Sequence, residues 1–340
     1  MTRRSSSVTI RDVANQAGVS VATVSRYINQ NAPVSGEVAQ RLDQVMAELK
    51  YMPHAAARHL ASRKTRVIGF LLTNMDNDFF APLLKGIEQT VRKHGYNLLV
   101  ATYHSDSRAT LAPPIGPHNT DGMLVFADSF TDEDIKNLHS SGFPMVLVHR
   151  SPPDSLPIPS VTVENKSATY KLIEHLILNH NKKRILFMRG PDHQEDSHWR
   201  EMGYRSALQA NGLPLDERLI LKGEFEREIA YEALSRFLSS GERPIFDAVF
   251  AGDDDAAIGV IDALTKYGYR VPEEIAVVGF DDLRLSAFLT PPLTTVRAPT
   301  ESVGQIAAER LFGLLKNEDS GGTTLLPTEI IIRRSCGCDV

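Results

Sequence analysis

At 340 residues the chain is longer than one hydrophobic core comfortably organises, so two or three domains are expected. Hydrophobic residues make up 42% and charged residues 23%, with no low-complexity tract and no apolar run of membrane-spanning length, which excludes a disordered or membrane-embedded chain. Residues 1–64 carry nine Lys/Arg against Asp12, Glu37, Asp43 and Glu48, a net of +5; with −5 for the whole chain, residues 65–340 carry −10, a basic head that suits a polyanion and an acidic body that repels one.

The opening "MTRRSSSVTIRDVA" lacks the apolar core and cleavage site of a secretory signal. From Thr9 onward three short helical patterns follow. Thr9 and Asp12 form a T-x-x-D helix start, and a first helix over about residues 10–16 brings Ile10, Val13 and Ala14 to one face. Ala17-Gly18 allows a tight turn. Ser20 then caps a second helix over 21–28. A third follows Ser35, with Val38, Leu42, Val45, Met46 and Leu49 as an amphipathic stripe.

Helix, four-residue turn and short helix in a basic segment spell a helix-turn-helix, a pattern that other small three-helix bundles share. On the second helix Val24 and Ile28 lie one turn apart and fit the core. Val21, Ala22, Ser25, Arg26 and Asn29 fall on the other surface. Small side chains there let the helix axis sink into a major groove, where Arg26 is long enough to reach a guanine edge. Ser20, Thr23, Ser25 and Asn29 can donate to phosphates, which sets register without reading sequence. The next stretch, "YMPHAAARHLASRKTR" (51–66), is helix-prone but too short to be stable alone. Such a linker can fold on binding, or Leu60 can simply pack against the following domain.

From Val67 short apolar runs alternate with helical windows: "VIGFLL" (67–72), "NLLVATY" (97–103), "MLVFA" (123–127) and "PMVLVH" (144–149), then "RILFMRG" (184–190), "LILKGE" (219–224), "DAVFAG" (247–252) and "IAVVGFDD" (275–282). Two such sets predict an α/β body of two similar subdomains, each a doubly wound parallel sheet, with a cleft between them. Ligands in such sheets sit beyond the strand C-terminal ends. The residues there are Phe79 and Phe80, Arg200, Phe225, Asp253 with Asp254 and Asp255, and Asp281 with Asp282. Carboxylates accept from hydroxyls, an arginine donates in a fixed fork, and aromatic rings pack on a sugar face or a base. Each also has a plainer use: Asp253 as a helix cap, Phe79 or Phe80 as core.

No G-x-S-x-G, H-E-x-x-H, P-loop or G-x-G-x-x-G occurs, so neither a catalytic constellation nor a nucleotide cofactor is expected. Both cysteines, Cys336 and Cys338, lie in the last five residues. That suits a reducing cytoplasm and gives no disulfide framework; a C-x-C pair without other ligands can bind metal weakly, but the reading preferred is a plain tail.

Taken together, "VTIRDVANQAGVSVATVSRYIN", "VSGEVAQRLDQVMAELKYMPHAAARHLASRKTRVIGFL", "REMGYRSAL", "FAGDDDAAIGVIDAL", "VPEEIAVVGFDD" and "PPLTTV" resemble the LacI/GalR family of bacterial transcriptional regulators over nearly the whole chain. The resemblance implies a cytoplasmic homodimer with a helix-turn-helix head (1–52), a hinge (53–65) and a periplasmic-binding-protein-like body. In that body the N-terminal subdomain would comprise 66–163 and 296–322, and the C-terminal subdomain 164–295 and 323–340. Crossings are expected near Val161–Glu164, Thr294–Val296 and Thr323–Thr324. By matching position, Val21, Ala22 and Arg26 would read operator bases, with Thr9, Ser20, Thr23, Ser25, Asn29, Ser35 and Tyr51 near the backbone. The hinge would place Ala57 and Leu60 in the minor groove, Leu60 as a wedge. Effector contacts would come from Phe79, Phe80, Arg200, Phe225, Asp253 and Asp281, with His149 a weaker candidate. The chain departs from the family at 105–122, where Pro113, Pro114 and Pro117 would break a helix, and it shows no leucine-heptad tail to support a tetramer.

The function expected is that of a DNA-binding repressor, not an enzyme, whose operator affinity a cleft ligand controls. That ligand would be a sugar or sugar phosphate, with a purine or nucleoside as the alternative. A sugar-binding solute receptor and a sugar-metabolising enzyme are the competing readings; the first predicts a signal peptide and no helix-turn-helix, the second a catalytic constellation.

Overall fold

The computed structural model describes residues 8–29, 32–51, 64–75, 78–103, 112–239, 245–319 and 321–339. The readings at Ala57 and Leu60 lie outside these residues, as does the side chain of Asn29. The chain divides into two units, residues 1–65 and 66–340.

In the first unit, α1 (Ile10–Ala17) starts where the Thr9 backbone N–H and hydroxyl both donate to the Asp12 carboxylate at 2.7 Å. It stops at Gly18, whose φ of 66° turns the chain toward Ser20. The Ser20 hydroxyl accepts from the Thr23 N–H at 3.1 Å and opens α2 (Val21–Asn29). Ser35 precedes α3 (Gly36–Glu48). Val13, Ala14, Ala17, Val24, Leu42 and Val45 form the core, with Ile28, Val38, Met46 and Leu49 partly buried around it. The Tyr27 hydroxyl donates to Asp43 at 2.6 Å, tying α2 to α3.

The second unit is built on two all-parallel sheets. β1 (Val67–Leu72), β2 (Asn97–Thr102), β3 (Gly122–Phe126), β4 (Met145–Val148), β5 (Ser160–Val163) and β11 (Thr323–Leu326) make the first, in the order β11-β5-β4-β3-β1-β2. β6 (Ile185–Arg189), β7 (Ile220–Lys222), β8 (Ala248–Ala251) and β9 (Ala276–Val278) make the second, in the order β7-β6-β8-β9. A two-stranded antiparallel ribbon, β10 (Thr295–Arg297) with β12 (Glu329–Ile331), accompanies the passages between them. Strand order reverses between β1 and β3 and between β6 and β8, and loops diverging there open a crevice.

Alternating side chains serve different cores. Phe70, Leu124, Phe126, Val146 and Val148 face α4 (Phe80–Lys93) and α10 (Thr300–Leu315), while Leu71, Met123, Val125, Met145 and Leu147 face α5 (Asp132–Ser140). In the second sheet Phe187 and Phe250 join the core that includes α6 (Lys166–His180) and α7 (Glu195–Ala210). Leu186, Met188, Val249 and Val277 face α8 (Arg227–Leu238) and α9 (Asp254–Lys266).

Two places bear on the sequence reading. The last passage does not begin at Thr323: Thr323–Leu326 pairs with β5 as the edge of the first sheet, so the chain leaves at 327–328. Its paired backbone assigns these four residues to the first sheet and not to the C-terminal subdomain. The proline-bearing stretch holds no helix among its described residues 112–121. Ile115 instead presses a loop on the sheet, its Cγ2 only 2.2 Å from where a Cβ on Gly69 of β1 would stand.

Candidate functional site

On the head, burial of Val24 fixes which face of α2 looks outward. Val21 is 41% exposed, Ala22 and Arg26 are exposed, and Thr23 and Ser25 are partly so. A flat, small-residue surface with one long cation beside it fits a major groove. Several positions carried over to the DNA backbone hold local structure as well. The Thr9 hydroxyl is given to Asp12, Ser20 caps α2, exposed Ser35 precedes α3, and Tyr51 is half-buried against the head core.

In the body the two reversal points face one cavity of about 620 Å³. Phe79, Phe80, Phe126 and Asp128 line it from the first sheet, and Asp196, Arg200, Phe225, Asp253 and Asp281 from the second. Six of the seven predicted effector residues are thereby brought together. Each stands just beyond a parallel strand or at the start of the helix that follows one, apart from Arg200, which reaches in from the second turn of α7.

Phe225 is seated by absence of side chains. A Cβ on Gly190, after β6, would lie 2.2 Å from its ring, and one on Gly252, after β8, 2.8 Å. Two bare strand ends thus make a floor for the ring. Phe225 also holds a φ of 59°, and Glu224 54°, His149 57° and Asp281 104°. Side-chain-bearing residues in this region cost of order 1–3 kcal/mol each, so packing around the cleft must hold them there.

A buried polar chain ties the lobes together. His149, after β4, sits behind the lining, with its ring against Phe79 and Phe126, and its Nδ1 meets Asp196 at 2.7 Å. The other Asp196 oxygen accepts from Asn165 Nδ2 at 2.7 Å. Arg200 Nε donates to Asn165 Oδ1 at 2.9 Å, Nη1 to the Gly252 carbonyl at 2.6 Å and Nη2 to Asp281 at 3.1 Å. The guanidinium also stacks 3.7 Å over the Phe280 ring. On the rim His193 and Gln194 both donate to Asp128 across the cleft.

These carboxyls differ in charge preference. Burial, then the neighbouring Asp281, holds Asp253 well above the usual carboxylate range, although it caps α9 by accepting from the Ala256 N–H at 2.8 Å. Asp253 therefore plays both the capping and the lining part. Burial also raises Asp281 against the pull of Arg200. At Asp196 burial works upward but is outweighed by His149, Arg200 and Asn165, leaving it low. Carboxyls drawn in opposite directions, Asp196 toward the ionised form and Asp253 and Asp281 toward the protonated one, present groups of unlike proton affinity to the hydroxyls of a ligand.

Sequence reasoning missed Asn165, Asp196, Asp128 and His193. Asp196 and His193 do follow "RILFMRG", where the strand-end rule would have found them; Asn165 gives no signal before the fold joins β5 to α6. Asp254 belongs to another site. It is fully buried beneath the cleft, accepting from Thr295 and Ser286 hydroxyls at 2.5 Å and from the Leu283 N–H at 2.9 Å. Burial pushes it up to about 7 against those bonds.

Residues 9–54 match the family described as bacterial regulatory proteins, lacI family, and residues 65–334 the periplasmic binding proteins and sugar binding domain of the LacI family. The chain is 32% identical to catabolite control protein A of Priestia megaterium, covering 96% of this chain and 99% of that one. It is 30% identical to the HTH-type transcriptional repressor CytR of Escherichia coli strain K12, covering 98% and 97%. Among solved structures, the lac repressor dimer bound to operator and the anti-inducer ONPF matches at a TM-score of 0.80 and 25% identity, covering 97% of this chain and 99% of that one. No helix among the described residues is long and apolar enough to cross a membrane. With head and body each matched and full-length relatives aligned end to end, the chain belongs to the LacI family of bacterial regulatory proteins.

Proposed function

We propose that this protein is a sequence-specific DNA-binding repressor, working as a homodimer in the cytoplasm and releasing or gripping its operator according to the ligand in the body cleft. The observation that carries this reading is α2: Val24 is buried while Val21, Ala22 and Arg26 face outward from a head of net charge +5. In the operator complex Val21, Ala22 and Arg26 meet base edges. Ser20, Thr23, Ser25, Asn29 and Ser35 lie along phosphates, with Thr9 and Tyr51 flanking them, and Ala57 and Leu60 of the hinge enter the minor groove. The protein regulates by binding and carries out no chemical turnover.

The effector is a neutral, polyhydroxylated molecule, a sugar in preference to a sugar phosphate. The lining holds Asp128, Asp196, Glu224, Glu226 and Glu228 alongside Arg200, and that arginine already donates to Asn165, Gly252 and Asp281. An anionic phosphate would meet a field of its own sign. Phe225 supplies the stacking face, which serves a nucleoside base as well, and the two are separated by direct binding. The subdomain division follows the sheets: 66–163 with 296–326 as one lobe, 164–295 with 327–340 as the other. Effector would act by favouring one angle between these lobes, a coupling of typically about 1–3 kcal/mol.

The test begins by selecting bound sequences from a random duplex library and measuring affinity for the winner by fluorescence anisotropy across a salt series. Affinity falling steeply with salt is expected, since phosphates dominate such binding. Selection of no sequence, or salt-independent affinity, overturns the reading. Neutral sugars, sugar phosphates and nucleosides are then compared by thermal shift, where a cleft ligand raises the melting temperature by mass action.

A further inference from the structure

Far from the cleft, at the end of α6, four side chains from two distant parts of the chain converge. His175 and His180 come from the helix, Cys336 and Cys338 from the last turn of the chain, and their ligating atoms all lie within 4.8 Å of one another. His180 Nε2 and His175 Nε2 are 3.2 Å apart, and Cys338 Sγ is 3.3 Å from the first and 3.7 Å from the second. We propose that His175, His180, Cys336 and Cys338 form a tetrahedral Cys2His2 site for Zn2+.

The geometry carries the argument. Zinc binds imidazole nitrogen at about 2.0–2.1 Å and thiolate sulfur at about 2.3 Å, so the edges of its tetrahedron run from roughly 3.3 Å between nitrogens to roughly 3.8 Å between sulfurs. The three separations above are edges of that size. Hydrogen bonding among the same atoms is a poorer account. Each neutral imidazole and each thiol brings a single proton, so hydrogen bonds link these atoms only in pairs, whereas one cation engages all four at once.

Local structure supports each ligand. His175 and His180 are five residues apart, a spacing that separates them around an ideal helix. His180 is the last helical residue, however, and the left-handed Asn181 that follows (φ 52°) ends the helix there. Gly337 has a φ of 106°, which folds the C-x-C loop back on itself, and a Cβ there would already sit 3.2 Å from the His180 ring. The Thr294 hydroxyl lies 3.1 Å from Cys336 Sγ and 2.8 Å from the Arg333 carbonyl, so its single hydrogen can turn to the sulfur once the thiol has lost its proton.

On binding, the two thiols lose their protons to solvent and two thiolates offset the dipositive ion, leaving a neutral site with no change of oxidation state. The ion would pin the chain end to α6. Ser335, next to Cys336, bonds to Thr294 and Val277, so the staple also reaches β9 and the residue that leads into β10.

The full-length protein is stripped with a chelator under reducing conditions and titrated with Zn2+ against a chromophoric competitor, with protons counted in weak buffer. One zinc per chain and release of two protons are expected, together with a higher melting temperature. Replacing Zn2+ by Co2+ should give thiolate-to-cobalt charge transfer and the intense d–d absorption of a tetrahedral site. Cys338→Ser and His175→Gln should each weaken binding on the order of 100-fold. Because a variant can lose metal by unfolding, metal-free melting of each is compared with that of the stripped native protein; Cys338→Ser that melts normally and binds zinc as tightly as the native chain overturns the proposal. So do sub-stoichiometric uptake, octahedral cobalt spectra, one metal shared between two chains, or a Cys336–Cys338 disulfide under these reducing conditions.

Discussion

Arg200 gives one N–H from each of its three nitrogens to Asn165, Gly252 and Asp281, and this commitment shapes what the cleft can do. With Asp196 and His149 it completes a polar chain from the end of β4 to the end of β9, and Asp196, Arg200 and Asp281 face the cavity directly. A ligand there touches both lobes through a few groups. Asp281→Ala should abolish the thermal shift produced by effector and the effector's influence on operator affinity, while operator affinity without effector stays within about threefold, since the head is a separate unit. An unchanged response would remove Asp281 from the site. Arg26→Ala should weaken binding by about 1–3 kcal/mol and relax preference at one base pair. Equal loss on every sequence tested would make Arg26 a phosphate contact.

Asp254 makes a prediction about pH. Its folded carboxyl titrates at about 7 against a usual 3.8, so between those values the folded protein holds a proton that the unfolded chain has released. This contribution to stability is whole below pH 4 and is lost as pH rises through about 7, at up to about 1.4 kcal/mol per pH unit. Urea unfolding of the native protein and Asp254→Asn at pH 5 and pH 7.5 isolates it. The native protein should lose more stability over this interval than the variant; parallel curves would assign the slope to other groups.

Among elements, the first sheet shows one glycine making room for a loop. Ile115 closes on Gly69, and a Cβ at that position would overlap it at 2.2 Å. Gly69→Ala should cost about 1–3 kcal/mol in denaturant unfolding, and Ile115→Ala in the same chain should recover part of it. Strict additivity would mean that the two do not press together. Eight strands were legible as apolar runs, six because both faces of the sheet are covered there and the partly exposed edge strands β2 and β7 by their leucines and isoleucine alone. The four others, β5, β10, β11 and β12, were legible only as passages between lobes, if at all. Their pairing is set by partners far along the chain, as with Thr323 against Ser160, which no local window contains. The three head helices were plain because Thr9, Gly18 and Ser20 are local signals with local partners.

At the scale of the whole molecule the same division governs the sites. Phe79, Phe80, Phe225, Asp253 and Asp281 were legible as cavity lining because a parallel sheet exposes its strand ends. Asn165 and the His175–His180–Cys336–Cys338 cluster were not, since only the finished fold brings them to their partners. That distance has a further consequence, for the order in which the protein is made. The head core joins residues 13 to 45. The first sheet of the body waits for β11, whose Thr323 hydroxyl meets Ser160 across 163 residues of chain. During synthesis the DNA-binding head can therefore be finished while the first sheet still lacks an edge strand and the α10 cover over one face. Such an interval exposes apolar surface and an unpaired strand. A nascent chain halted before residue 300 should already protect the head from protease while its first sheet is still cut, and protection should spread to that sheet only when α10 and β11 have emerged.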